Sequence, residues 1–224
     1  MSDRKMPYHE QKRSRFREQW KTLKGVFDLF TEKQLAKLIR QGYFTGLKSP
    51  VKIGKESNVF SAETSDGDVI IKIYRLQTAD FNKMKSYLMA DPRFNRALAK
   101  RRDVVFIWAQ REYRNLFLAR EAGVRVPKPI ACSSNVVVME QIGDDEPASR
   151  VKDALPKDPK AFFDEVVAQM RKLHKAGLVH GDLSKFNILN DDDKAVLIDF
   201  SQSTTFENPN AKVFLERDVR NVCV

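Results

Sequence analysis

Cysteine is scarce, with two residues in 224, Cys132 and Cys223. Their separation matches no metal-ligand spacing, which favours a reducing cytoplasm without disulfides or a structural zinc. The three histidines do not form a ligand set either: His9 lies in a polar arm, His174 reads as a structural helix residue, and His180 precedes Gly181-Asp182. No apolar run approaches the roughly 20 residues of a membrane span. The charged start MSDRKMPYHEQKRSR has no apolar centre for a signal peptide. A cytoplasmic chain with no membrane partner is therefore expected. Internal repeats and low-complexity segments are missing as well.

What is present is enough apolar material for a sizeable core, 42% of residues, on a length that fits a single bilobal unit. The net charge of +10 is unevenly spread. Residues 1–50 carry 12 Lys/Arg against 5 Asp/Glu, and residues 83–128 carry 12 against 4, whereas residues 129–224 are slightly acidic. A basic face of this kind can follow a phosphate backbone, so a nucleic-acid or ribonucleoprotein partner is expected on the N-terminal half.

Residues 1–25 read as a basic arm and 26–50 as a helical extension. In the extension Thr31 is placed as the cap, Gln34 completes a capping box, Leu35, Leu38 and Ile39 form the apolar face, and Gly42 ends the helix. Three strands follow at 51–53, 58–63 and 68–74, with an Asp66-Gly67 turn. Residues 83–103 are basic and weakly patterned, and are expected to form a flexible loop. A helix over 104–122 closes at Gly123, and a hairpin over 130–140 turns at Ser134-Asn135. Residues 144–157 read as a polar stretch. A helix begins at Pro159 and ends at Gly177, and Pro209 leads into a last helix with Val213, Phe214 and Val219 among its apolar positions. The pattern predicts an α+β fold: a small antiparallel-sheet N-lobe over 51–140 and a mostly helical C-lobe over 141–224.

The chemistry concentrates in LVHGDLSKFNILNDDDKAVLIDFSQS, residues 178–203. Asp182 is followed five residues on by Asn187, and Asp199 ends the apolar run Ala195-Val196-Leu197-Ile198. A base and two metal ligands are placed in this way by phosphoryl-transfer enzymes of the protein-kinase type. Asp182 would orient the attacking hydroxyl or water, and Asn187 and Asp199 would hold magnesium with phosphate oxygens and water. Any one of the three alone would read better as a turn-forming Asx residue; the combination decides. Lys72, within Val69-Ile70-Ile71-Lys72-Ile73, is an ammonium in an apolar strand and needs a partner. Glu112 in the long helix is the best candidate by position, ahead of Glu121.

Several usual kinase parts are missing. The loop between the first two strands has one glycine, Gly54, in place of a Gly-x-Gly-x-x-Gly pattern, leaving phosphate contacts to backbone N–H groups, Lys55 and Ser57. Gly181 stands where an arginine would clamp a phosphorylated activation loop, Ser201 follows Asp199-Phe200 where glycine is usual, and no Ala-Pro-Glu follows.

Over residues 26–224 the chain resembles the RIO family of atypical serine protein kinases, in its Rio-one branch. Gly54-Lys55-Glu56-Ser57-Asn58-Val59-Phe60 is similar to that branch's phosphate loop. Val26-Phe27-Asp28 with Gly42-Tyr43-Phe44 is similar to its N-terminal extension, and Ile198-Asp199-Phe200-Ser201-Gln202-Ser203 to its metal motif. The His-x-Asp-Leu-Ser-x-x-Asn block is less specific, being shared with aminoglycoside phosphotransferases and the small kinase of the tRNA-threonylcarbamoylation complex. The resemblance implies a trimmed bilobal kinase fold, ATP with Mg2+ or Mn2+, serine autophosphorylation, a role in maturing the small ribosomal subunit, and an ATPase cycle through phosphorylated Asp199. It implies nucleotide contacts from Ile53, Val59 and Ile198, with hinge contacts from the backbone of Glu140 and Ile142, and the short chain suggests an archaeal-type member. Two alternatives stand beside it: a small-molecule or tRNA-modification-complex kinase using the same loop, and a ribosome-binding ATP switch. The apolar end Val222-Cys223-Val224 is expected to pack on the core or to continue in a longer chain.

Overall fold

The computed structural model describes residues 27–94 and 100–223. The basic arm, Val26 of the leader, the centre of the 83–103 stretch and Val224 lie outside the described residues. The elements in order are α1 (Leu29–Arg40), β1 (Gly46–Ile53), β2 (Ser57–Thr64), β3 (Gly67–Tyr74), α2 (Phe81–Met89), α3 (Arg101–Glu121), β4 (Pro129–Ser133) and β5 (Val136–Glu140), followed by β6 (Ser149–Arg150), α4 (Pro159–Lys175), β7 (Leu178–Val179), β8 (Ile188–Asp191), β9 (Lys194–Leu197), a 3-10 turn (Phe200–Gln202), β10 (Thr204–Thr205) and α5 (Ala211–Val222).

Strands β1-β2-β3-β5-β4 form one antiparallel sheet in that order. Both of its faces are covered. Val69, Ile71 and Ile73 of β3 and Val136 and Val138 of β5 pack with Leu35 and Leu38 of α1. The alternate residues Tyr74, Val137 and Met139 pack with Val105, Trp108 and Leu116 of α3. Two-sided burial explains why β3 and β5 read as apolar runs without alternation. The period of two also turns Lys72 to the α3 side, the same side as Tyr74.

In the C-lobe, Phe162, Val166 and Leu173 of α4 pack beneath the β8–β9 hairpin, with Ile188, Ala195 and Leu197 in the same core. β6 pairs with β8, so the stretch read as merely polar contributes a short strand. β7 pairs with β10, which brings the residues before His180 against those after Ser203.

Three local expectations are corrected. Helix α1 begins at Leu29 and its cap is Asp28, whose carboxylate accepts from the Thr31 N–H at 2.8 Å. Thr31 is buried inside the helix and its hydroxyl accepts from Asn135 Nδ2 at 2.9 Å, while Gln34 accepts from Ser133 Oγ. Residues 83–89, expected in a flexible loop, belong to α2, whose Met84 and Leu88 are buried, and 101–103 already belong to α3. In α5, Val213 and Val219 are 61% and 47% exposed, and the helix instead buries Asp218.

Candidate active site

Helix α3 and strand β3 meet at an ion pair. Lys72 Nζ lies 2.7 Å from Glu112 Oε1 and 2.9 Å from Asp199 Oδ1, and Tyr74 donates to the other Glu112 oxygen at 2.6 Å. Burial works against the Lys72 charge, but the two carboxylates outweigh it and hold the ammonium well above its usual range. Burial likewise opposes ionisation of Asp199, and Lys72 overrides it, keeping that carboxyl well below the usual range. Glu112 is pushed up by burial, against the pull of Lys72. One ammonium is shared by two acids, so the cluster keeps a net negative charge suited to a cation.

Asp199 sits at the end of the β9 run in a left-handed backbone, φ 63°, a conformation that Asp tolerates better than most residues. Ser201 donates to its Oδ1 at 2.7 Å. Behind it, the turn 200–204 is fixed by a buried polar cluster from α3 and the α2–α3 connection. Arg111 donates to the carbonyls of Gln202 and Ser203 at 3.2 Å each, and Asn115 Nδ2 donates to those of Phe200 and Ser203 at 3.0 and 2.7 Å. Asp91, fully buried, accepts from Arg93 and from Thr204. Burial lowers the Arg111 guanidinium to about 10, with Asp91 opposing the shift.

The catalytic-loop candidate is fixed from below. Asp218 of α5 accepts from the N–H groups of Gly181 and Leu183 at 2.7 and 2.8 Å. Arg217 donates to the Gly181 carbonyl. His180 Nε2 lies 3.0 Å from the Ile198 carbonyl, and its own carbonyl accepts from Ser203 Oγ at 2.8 Å. Asn187 Nδ2 donates to the Asp182 carbonyl at 2.8 Å and to Asp182 Oδ2 at 3.2 Å. Burial, together with the charge of Asp199, pushes the Asp182 carboxyl up.

The nucleotide-side candidates lie on β1, β2 and the loop between them, where Val59 pairs with Lys72. Ile53 and Lys55 are exposed, and Ser57 and Val59 are half-buried. The loop between β1 and β2 is closed by Gly54 N–H donating to Ser57 O at 3.1 Å, and a Cβ at Gly54 would meet that oxygen at 2.9 Å. A single glycine therefore suffices here. Arg75 and Thr78 tie the loop's carbonyls at Gly54 and Lys55 from outside. At the hinge candidates, the Glu140 N–H donates to Lys128 O and the Ile142 carbonyl accepts from the Ala148 N–H, so these two groups are already bonded within the chain.

Among the described residues no group of three or more His, Cys, Asp or Glu is placed to hold a metal ion. Asp199 with Asn187 is a two-residue oxygen donor set, which fits magnesium completed by phosphate oxygens and water rather than a cation caged by protein.

The RIO domain profile matches residues 58–224. The chain belongs to the RIO family of serine/threonine-protein kinases. It is 44% identical over 207 residues to the RIO-type serine/threonine-protein kinase Rio1 of Haloferax volcanii, covering 92% of this chain and 71% of that one. It is 39% identical over 215 residues to the Rio1 kinase of Methanocaldococcus jannaschii, covering 95% and 74%. Among solved structures it is similar to the Rio2 kinase–ADP/Mg2+–phosphoaspartate complex of Chaetomium thermophilum, with TM-score 0.67 and 26% identity. That match covers 84% of this chain, which spans 57% of that structure's chain. The trimmed bilobal α+β fold is thus that of a RIO kinase. No helix among the described residues is long and apolar enough to cross a membrane.

Tyr74, Arg111, Asn115, Asp91 and Asp218 bond to the candidate residues or the turn beside them and stand in none of the motifs, while Gln202 stands in the metal motif without a role of its own there. Each acts through a partner at least 20 residues away in sequence, which spacing alone does not reveal. Asp91 was hidden in the stretch read as flexible.

Proposed function

We propose that this chain binds ATP between its lobes and transfers the γ-phosphoryl group to a serine hydroxyl, including its own, or through Asp199 to water. The supporting observation is the shared ammonium: Lys72 touches Glu112 and Asp199 at once, so the nucleotide half and the metal half of the site are already in register. Lys72 holds the phosphates, and Glu112 keeps Lys72 in place. Ile53 and Val59 cover the base from one side and Ile198 from the other, with the backbone of Glu140 and Ile142 reading its edge and Lys55 and Ser57 meeting the phosphates. Asn187 and Asp199 hold Mg2+ or Mn2+, which when bound neutralises charge on the transferring phosphates. Asp182 orients the acceptor hydroxyl and takes up its proton as the oxygen–phosphorus bond forms and ADP leaves. In the ATPase branch an Asp199 oxygen attacks the γ-phosphorus, ADP leaves, and water then displaces phosphate from the aspartyl phosphate. Lys72 and Ser201 both donate to Oδ1, so in this reading the attack is made by Oδ2. The phosphoaspartate in the similar Rio2 structure supports this branch.

The natural setting we propose is maturation of the small ribosomal subunit in the cytoplasm, with the basic N-terminal half on its RNA. Asp182→Asn should abolish phosphoprotein formation while ATP binding persists. Asp199→Asn should remove phosphoprotein formation and phosphate release together. Full activity of either variant rejects the corresponding role. Comparing phosphate release with phosphoprotein formation on purified pre-ribosomal particles separates a true kinase from an ATP-driven switch.

A further inference from the structure

The loops that carry Asp182 and Asp199 meet closely at Gly181 and Gln202. Gly181 has φ 82°, and a Cβ there would lie 2.8 Å from the Gln202 carbonyl oxygen. The position that carries arginine in ordinary kinases is therefore reserved for glycine by the backbone of Gln202. That backbone is itself held, because Arg111 Nη2 donates to the Gln202 carbonyl at 3.2 Å and Asn115 fixes the carbonyls on either side of it. From this anchored position the Gln202 side chain turns to the catalytic loop, and its Nε2 donates to Asp182 Oδ2 at 3.1 Å. Asn187 Nδ2 reaches the same oxygen at 3.2 Å. Two amide donors therefore converge on Oδ2 of a carboxylate whose other oxygen carries no hydrogen bond from either.

We propose that Gln202 is a positioning residue for Asp182, holding Oδ2 so that Oδ1 is presented to the acceptor hydroxyl. The inference rests on the reading of Asp182 as the base. It makes the α3 cluster part of the catalytic geometry: Arg111 sets the Gln202 backbone, and Gln202 sets the carboxylate. In this arrangement the carboxylate is oriented without any phosphorylated activation segment, by a residue of the metal loop itself. A carboxylate held by donors on one oxygen loses less freedom on reaching the transition state than one free to rotate.

Gln202 is half-buried, and its side chain makes no bond to the core, so substitution leaves the fold in place. Gln202→Met keeps length and volume without the donor, and Gln202→Lys restores a donor. With the full chain, ATP and Mg2+, single-turnover autophosphorylation should fall about tenfold in Gln202→Met, the worth of one hydrogen bond to a charged acceptor. KM for ATP and the melting temperature should stay at the wild-type values, and Gln202→Lys should recover part of the rate. An unchanged rate in Gln202→Met overturns the proposal, as does a loss confined to KM, which would make Gln202 a nucleotide contact. Full activity of Asp182→Asn alone overturns instead the reading of the base on which the proposal rests.

Discussion

Lys72 shows how a single side chain can bind two sequence-distant acids and what its removal leaves behind. Glu112 is buried and Asp199 two-thirds buried, and both lean on the one ammonium. In Lys72→Met these acids face each other without a cation, and burial pushes Glu112 further above its unfolded value. Its folded form then binds a proton that its unfolded form has already released, so stability is present at low pH and is lost as pH rises through the folded value. Lys72→Met should therefore melt progressively lower from pH 5 to pH 8, more steeply than the wild type, as differential scanning calorimetry in a pH series would show. A wild-type slope would mean that the two acids find another partner. Cys132 gives a second test at this scale. Burial pushes its thiol up to about 12, so at pH 8 only about one molecule in ten thousand carries the thiolate. Cys223 is exposed. Iodoacetamide at pH 8 should label Cys223 first and leave Cys132 unmodified until the chain is unfolded, read by peptide mass.

Helix α3 separates what was legible in the sequence from what was not. Its period, its end at Gly123 and the candidate Glu112 follow from the local pattern, because apolar spacing and a partner-seeking Lys72 are features of the chain itself. Arg111 and Asn115 look, in sequence, like residues of a wetted face. Their burial is set by the turn 200–204, some 85 to 92 residues further on, which offers them bare carbonyls. The same holds for Asp218 in α5, a helix read by its valines but anchored by a carboxylate. The cap of α1 failed differently: Asp28 and Thr31 are both capping types three residues apart, and the extended backbone at Asp28 decides between them. Asp28→Ala should cost about 1 kcal/mol in urea unfolding. Arg111→Met, which strips donors from the Gln202 and Ser203 carbonyls and removes the cation 3.5 Å from Asp91, should cost about 3–5 kcal/mol. It should also weaken turnover, through the turn 200–204 whose carbonyls Arg111 holds. Equal losses from the two substitutions would place α3 and the turn in separate packing units.

Across the whole molecule, the structure redistributes the basic excess expected to face RNA. Arg93 and Arg111 belong to the strongly basic 83–128 stretch, yet both are engaged within the cluster around Asp91. Lys83, Lys85, Arg101 and Arg102, by contrast, are exposed, on α2 and at the start of α3. Arg101 and Arg102 also lie over the rings of Phe81 and Phe30, at 5.1 and 5.4 Å from the ring centroids. If these four cations follow a phosphate backbone, binding to a small-subunit RNA fragment should weaken with salt. Each phosphate neutralised contributes about 0.7 to 0.9 to the slope of log K against log salt. Lys83→Glu with Lys85→Glu should then lower that slope by about 1.5 or more, measured by fluorescence anisotropy between 50 and 200 mM salt. Arg93→Gln should leave the slope unchanged while lowering the melting temperature, because its charge is already answered inside the protein. A slope that responds to Arg93 and not to the lysines would argue against α2 as a surface that follows phosphates.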